Sequence, residues 1–197
     1  MVLSISLTSA LGCTAPAEVY PQTSAEYEIA RDIFNRANTE RAARGLKPLP
    51  WDPQLASVGA SWAREMAATG YRHMAPPPKV GGYWWAGDLV HHLGPVNNSP
   101  AGQPTSGALF RDWMWSSGHR VLLVSPNVDA GAVGVYCAPD GHAWAVFLVG
   151  VVKYRGQVSQ PANGGPRIQD TNDGFTCSRE YRDHKPNWPS AVAPRSS

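Results

Sequence analysis

The stretch Phe110-Arg-Asp-Trp-Met-Trp-Ser-Ser-Gly-His-Arg-Val-Leu-Leu123 decides how this chain is organised. Phe110, Trp113 and Met114 are spaced three and four residues apart, as on the buried face of a helix. The following Ser116-Ser-Gly118 ends that helix and offers a cap for the next turn. We therefore expect His119 at a junction between two helices, where its side chain can face a cleft.

Two further helices are predicted upstream of this stretch. Thr23 and Glu26 have the spacing of a capping box, which predicts the start of the first helix. Asp52 as N-cap and Pro53 as first helical residue predict the start of the second. Gly70 ends the second helix, and Thr105 or Ser106 is expected to cap the helix that runs to Trp115.

The segment between these helices carries the other histidine of interest. His73 follows the second helix and lies outside it. Leu89-Val-His-His-Leu93 is interpreted as a short helix capped by Asp88, and its two histidines as surface residues, because adjacent residues on a helix point to different sides. Trp84-Trp85 has two interpretations: a stacking or lipid-contacting patch, or core packing beneath a proline-rich loop.

The second half of the chain changes from helical to β-rich patterns. Ala132–Cys137 and His142–Val149 are β-rich, and the tight turn Ala138-Pro-Asp-Gly141 joins them into an antiparallel hairpin. Helices followed by a hairpin indicate an α+β protein. We expect an α-β-α sandwich with a small antiparallel sheet between helices.

Composition and charge bound the size and the partners of the protein. The 197 residues are 43% hydrophobic and 16% charged, as expected of one globular domain with one sizeable core. A net charge of +2 is too small to indicate nucleic acid as a partner. We expect a domain over residues 23–155, a signal-like segment and tether over residues 1–22, and an irregular C-terminal extension over residues 156–197. We expect a monomer.

Cysteine usage indicates export. Ala10-Leu-Gly-Cys13 resembles a lipoprotein processing site, which predicts lipidation of Cys13 and a secreted or envelope-anchored protein. In an exported chain, Cys137 and Cys177 are expected to form a disulfide that pins the extension; two buried free thiols are the alternative. The sequence has no run of 18 or more apolar residues, so no transmembrane span is predicted.

The order of these motifs resembles the CAP superfamily, which comprises cysteine-rich secretory proteins, antigen 5 and plant pathogenesis-related 1 proteins, and in bacteria the SCP-like extracellular domain. The resemblance covers about residues 25–150. The matching motifs are Asn38-x-x-Arg41, Trp51-Asp-Pro-x-Leu55, Tyr71-Arg-His73, Trp113-x-x-Ser-x-x-His119-Arg120, and Gly131-Ala-Val-Gly134 followed by Trp144-Ala-Val-Phe147.

The resemblance implies a secreted or surface-attached sandwich with a shallow cleft between His73 and His119. In many family members two acidic residues complete this cleft, and the set can bind a divalent metal. Here Asp88 reaches the first acidic position only with a one-residue shift, and Ser116 occupies the second. The expected cleft residues are therefore His73, Asp88, Ser116 and His119, with the two histidines as weak ligands for zinc.

Three functions remain open for this cleft. The first is an exported, non-enzymatic module that binds a small ligand, with lipids as one family precedent, or a partner at the cell envelope. The second is a metal-dependent hydrolase that uses the same cleft. The third is a structural or interaction protein with a vestigial cleft. Ser116 or Ser117 beside His119 could serve as a nucleophile, but no Gly-x-Ser-x-Gly motif is present, and no catalytic residue is assigned.

Overall fold

A computed structural model describes residues 20–75, 79–95, 103–153 and 173–177. Cys13, most of the segment 1–22 and most of the extension 156–197 lie outside the described residues. The predicted domain boundaries and the lipidation of Cys13 therefore remain predictions.

The described residues form four helices and four strands. Their bounds are α1 Ser24–Ala43, α2 Pro53–Thr69, β1 Lys79–Val80, β2 Tyr83–Leu93, α3 Ser106–Trp115, α4 Ser117–Leu123, β3 Ala130–Cys137 and β4 Ala143–Val151. The strands form one antiparallel sheet in the order β1-β2-β4-β3. The predicted hairpin is the pair β3–β4, and β2 lies on the other side of β4.

The predicted helix starts are present. At the start of α1 the Thr23 hydroxyl accepts from the Glu26 amide, and the Glu26 carboxylate accepts from the Thr23 amide, which completes the capping box. At the start of α2 the Asp52 carboxylate accepts from the amides of Gln54 and Leu55, both at 2.9 Å. Thr105 caps α3 through the Ala108 amide.

The predicted short helix at Leu89–Leu93 is wrong. These residues are the second half of β2, and each pairs with a residue of β4. Leu89 and Val90 are both fully buried and contribute to different cores on opposite faces of the sheet. Because both faces of this strand are covered, its sequence lacks a regular alternation of polar and apolar residues and resembles that of a short buried helix. Asp88 is part of this strand and not a helix cap.

The sheet is packed between helices on both faces, which confirms the predicted α+β sandwich. Successive residues of β4 alternate between the two cores, because side chains of a strand point to opposite faces. Phe147 and Val149 pack in the core that contains α1 and α3, whereas Val146 and Leu148 pack in the core that contains α2. No helix within the described ranges is long and apolar enough to cross a membrane.

A disulfide joins Cys137 at the end of β3 to Cys177, with their Cα atoms 5.5 Å apart. This is the pairing expected from the sequence rather than the two free thiols. Residues 173–177 also bind the start of α3, where the Ser106 amide donates to the Phe175 carbonyl at 2.9 Å. A short segment of the C-terminal extension is thus attached to the domain both covalently and by hydrogen bonds.

Candidate functional site

The chain that follows α2 runs beside the outer edge of β2 and carries His73 with it. The Tyr71 hydroxyl donates to the Val90 carbonyl at 2.9 Å, and the Met74 amide donates to Asp88 Oδ2 at 2.9 Å. Further along, Lys79 pairs with Trp84. The segment from Tyr71 to Lys79 therefore runs antiparallel to β2, and His73 lies opposite the middle of the strand.

His73 and Asp88 form a pair at this edge. His73 Nδ1 lies 3.3 Å from Asp88 Oδ1. The Asp88 side chain is 5% exposed, whereas that of His73 is 59% exposed. The one-residue shift that the resemblance required therefore agrees with the position of Asp88 beside His73. Because Nδ1 faces the carboxylate, Nε2 is the nitrogen that His73 can offer to a ligand.

His119 approaches from the opposite side, on α4. Its ring centroid lies 6.1 Å from that of His73, with the ring planes tilted by 47°. Partial burial and then the neighbouring His73 and His91 lower the pKa of His119, against the opposing influence of Asp88. His119 is therefore neutral at pH 7, and within the described ranges its ring accepts or donates no hydrogen bond.

Ser116 lies at the break between α3 and α4, as the sequence predicted. Its hydroxyl makes no capping hydrogen bond, so the expected side-chain cap is wrong. Among the residues that the structure describes, neither Ser116 nor Ser117 hydrogen-bonds to His119. A serine nucleophile needs a base within hydrogen-bond reach, and the present arrangement does not provide that contact.

A second histidine–carboxylate pair borders the site, and the sequence analysis missed it. His91 Nε2 lies 3.0 Å from Asp112 Oδ2, and Asp112 also accepts from Arg111 Nε at 3.0 Å. His91 was expected on the surface. The error follows from the wrong helix, because on a strand His91 points to the face that α3 covers. If residues 89–93 had been interpreted as a strand, the alternation of its side chains would have placed His91 on the face that α3 covers.

His92 points to the other face of β2 and is partly buried rather than a surface residue. Its ring stacks on that of Trp144, with centroids 4.4 Å apart and planes inclined by 13°. The centroid of the Tyr71 ring lies 5.5 Å from that of His92. Burial, followed by the nearby His91 and His142, lowers the pKa of His92. His92 is therefore a neutral aromatic spacer between Tyr71 and Trp144.

Trp84 and Trp85 differ in exposure, so neither of the two interpretations holds for both residues. Trp84 is exposed, and the Lys79 ammonium lies 4.4 Å from its ring centroid. Trp85 is partly buried, and its indole Nε1 is buried without a hydrogen-bond partner in the described structure. The exposed surface is therefore a single tryptophan and not a double patch.

The donor set fits a divalent metal only weakly. Both oxygens of Asp88 already contact His73 and Met74, which leaves two imidazoles as the available ligands. In the part of the chain that the structure describes, no group of three or more His, Cys, Asp or Glu side chains could hold a metal ion. Protein zinc sites use three or four protein ligands, so the pair does not form a closed site.

Comparisons with known proteins agree with this architecture. The model of the cysteine-rich secretory protein family, abbreviated CAP, matches residues 34–152, which is more than half of the chain. The uncharacterized protein YkwD of Bacillus subtilis strain 168 is 27% identical over 136 residues, which are 66% of this chain and 49% of that protein. The chain thus spans about half the length of the curated relative that it matches.

The chain is also similar to solved structures of two bacterial proteins. An extracellular protein containing a SCP domain from Bacillus anthracis str. Ames is 23% identical, with a TM-score of 0.47, over 66% of this chain and 44% of that one. An outer surface protein of Borrelia burgdorferi is 16% identical, with a TM-score of 0.46, over 62% of this chain and 92% of that one.

Proposed function

The chain belongs to the cysteine-rich secretory protein (CAP) family, and on that basis we propose that it is an exported, non-enzymatic module that binds a small ligand or a partner between His73 and His119. The observation that carries the proposal is the pair of imidazoles 6.1 Å apart. Asp88 orients the first, and the second has no hydrogen-bond partner among the described residues.

Binding is favoured over hydrolysis for a physical reason. A hydrolase needs an activated nucleophile or a metal-bound water, and both need groups that converge on one point. The two imidazoles can hydrogen-bond a ligand, but among the described residues neither has a hydrogen-bonded serine to activate. The metal-dependent hydrolase remains the alternative, and a vestigial cleft in an interaction protein is the third possibility.

The test follows the imidazole signals of the full chain by NMR while ligands are added. Zinc chloride, palmitate and a neutral trisaccharide serve as probes of three chemical classes. We expect at least one probe to shift the His73 and His119 signals together, and the binding to be lost in a His73→Ala/His119→Ala double variant.

His142→Ala is the matched control, because this histidine lies in the β3–β4 turn beside Asp140. The control should bind as the wild type does. If none of the three probes shifts either cleft histidine, or if the double variant binds as well as the control, the cleft is not the binding site.

Divalent metal binding is the second candidate for the same cleft. It is supported by the two neighbouring imidazoles, whose ring centroids lie 6.1 Å apart and whose nitrogens are common zinc ligands. With only two protein ligands the affinity should be weak. Calorimetric titration with zinc tests this, and binding that persists in the double variant would place the metal elsewhere.

Export and lipid anchoring are proposed from Ala10-Leu-Gly-Cys13, and the Cys137–Cys177 disulfide supports an oxidising destination. Mass spectrometry of the protein expressed in a bacterial host tests the anchor. A diacylglyceryl-modified Cys13 is expected in the wild type, with an unmodified and soluble product from Cys13→Ala. An exported wild-type protein without acyl mass would contradict the anchor and leave secretion intact.

A further inference from the structure

Tyr71 presents an exposed and hydrogen-bonded aromatic ring two residues before His73. The residue is 48% exposed, and its hydroxyl donates to the Val90 carbonyl at 2.9 Å. An exposed tyrosine usually samples several rotamers. A tyrosine whose hydroxyl is hydrogen-bonded loses this conformational entropy when the domain folds, so the loss does not reduce the affinity for a ligand. The ring is therefore preorganised for contact with a ligand.

The Tyr71 ring also has aromatic neighbours within the protein. His92 lies 5.5 Å from Tyr71, and the next ring in the series, Trp144, stacks on His92 at 4.4 Å. Trp144 belongs to β4 and pairs directly with His92 across the sheet. The series of three rings therefore connects Tyr71 to the sheet.

Hydrogen-bonding groups lie next to this surface. His73 is two residues from Tyr71 on the same extended segment, with Nδ1 facing Asp88. His119 is 6.1 Å from His73 and has no hydrogen-bond partner in the described ranges. The free nitrogens of these rings can accept from, or donate to, a hydroxyl group.

This combination selects one class of ligand. A sugar ring has an apolar face of C–H groups that packs on an aromatic ring, and hydroxyl groups around its edge. A lipid chain would cover Tyr71 but leave the imidazole nitrogens without partners, which is costly once water is excluded.

We propose that Tyr71, together with His73 and His119, forms a subsite for a neutral saccharide, such as one unit of a glycan chain. The inference rests on the proposed function, because it assigns a ligand class to the same cleft. Tyr71 supplies the stacking surface, and the histidines bind hydroxyl groups of the same or the adjacent sugar unit.

The test uses the full chain and N,N′,N″-triacetylchitotriose, with maltotriose as a second neutral trisaccharide. In saturation-transfer NMR, irradiation of protein aromatic protons should mark the C–H face of one sugar unit. Affinity should fall by about tenfold in Tyr71→Ala, as expected for the loss of one aromatic contact. Tyr71→Phe keeps the ring and should bind within about threefold of the wild type.

Tyr27→Ala is the matched control, because Tyr27 is similarly exposed but lies on α1 against Trp51. This variant should bind the sugar as the wild type does. The wild-type saturation-transfer result stands even if Tyr71→Ala fails to fold. The proposal is overturned if neither trisaccharide binds, or if Tyr71→Ala and Tyr27→Ala bind equally well.

The saccharide assignment and the ligand-binding role of the cleft can fail separately. If zinc or palmitate shifts His73 and His119 while both trisaccharides do not, the saccharide assignment is wrong and the ligand-binding cleft remains. If no probe of any class reaches either histidine, both proposals fail together.

Discussion

At the scale of single residues, His119 makes the stability of the fold depend on pH. Partial burial and the neighbouring His73 and His91 favour its neutral form in the folded protein and lower its pKa. In the unfolded chain a histidine titrates near its ordinary pKa of about 6.5. The protein therefore binds fewer protons at His119 when folded than when unfolded, at any pH between the two pKa values.

This difference gives a prediction for stability. The contribution of neutral His119 is fully present above pH of about 6.5 and is lost as the pH falls towards the lowered pKa of the folded state. We expect the free energy of unfolding of the wild type to decline below pH of about 6.5 relative to that of His119→Gln. Urea unfolding at a series of pH values on both sides of this point measures the difference, and parallel pH profiles for the two proteins would contradict it.

Arg41 is a buried cation whose partners are carbonyl oxygens. It is 2% exposed, and it donates to the carbonyls of Lys47, Leu123 and Ser125 at 2.8–3.0 Å. Burial lowers its pKa to about 10, so it stays charged at neutral pH. The guanidinium thereby joins the end of α1 to the loop that follows it and to the end of α4.

Arg41→Lys should destabilise the protein by about 2–4 kcal/mol, because an ammonium group cannot reach three carbonyls with the geometry of a guanidinium. Arg72→Lys is the control, since Arg72 pairs with Glu65 on the surface, and it should cost less than about 1 kcal/mol. Chemical unfolding compares the two variants. Similar losses in both would show that the buried contacts of Arg41 contribute little.

At the scale of elements, the packing of α2 on β3 depends on two glycines. A Cβ on Gly134 would overlap the backbone of Gly59 and Ala60, and a Cβ on Gly59 would lie 3.1 Å from the Gly134 amide nitrogen. A glycine inside a helix costs about 1 kcal/mol relative to alanine. At Gly59 this cost is offset because the absence of a side chain allows the backbone of α2 to pack directly against that of β3.

Gly134→Ala should therefore cost at least about 3 kcal/mol, because neither backbone can move away without opening the core. Gly82→Ala is the matched control: a Cβ there would meet no atom within 4 Å, and the change should be near neutral. Thermal unfolding of the two variants separates a steric effect from a general effect of replacing glycine. A Gly134→Ala protein as stable as the control would refute the close packing.

At the scale of the whole molecule, the disulfide and the segment 173–177 connect distant parts of the chain. The disulfide closes a separation of 40 residues, and Arg36 Nη2 on α1 pairs with Asp173 Oδ1 at 3.0 Å. The Gly107 amide at the start of α3 donates to the Asp173 carbonyl at 3.0 Å. The segment thus contacts both helices that cover one face of the sheet.

Reduction of this disulfide should lower the free energy of unfolding by about 3–4 kcal/mol, because it releases a long loop in the unfolded chain. Urea unfolding with and without dithiothreitol measures the effect, and in a Cys137→Ser/Cys177→Ser variant the reductant should have none. Amide exchange at Ser106 and Gly107 should also accelerate on reduction. An unchanged unfolding midpoint in the reduced wild type would contradict the prediction.

Features that depend on neighbouring residues could be predicted from the sequence alone. The capping box of Thr23 and Glu26, the Asp52 cap and the β3–β4 hairpin were predicted because turn and cap geometry depends on a few adjacent side chains. The order of the motifs around His73 and His119 was sufficient to predict the sandwich, and the family match supports it.

The conformation and contacts of the residues between those motifs depend on tertiary packing and could not be predicted from local sequence. Leu89–Leu93 is a strand because helices cover both of its faces, and burial on both sides removes the alternation that identifies a strand in a sequence. The same packing directs His91 to Asp112 and His92 to Trp144. These pairs join residues that are distant along the chain, and no local pattern encodes such a pairing, because it depends on how the sheet and helices meet.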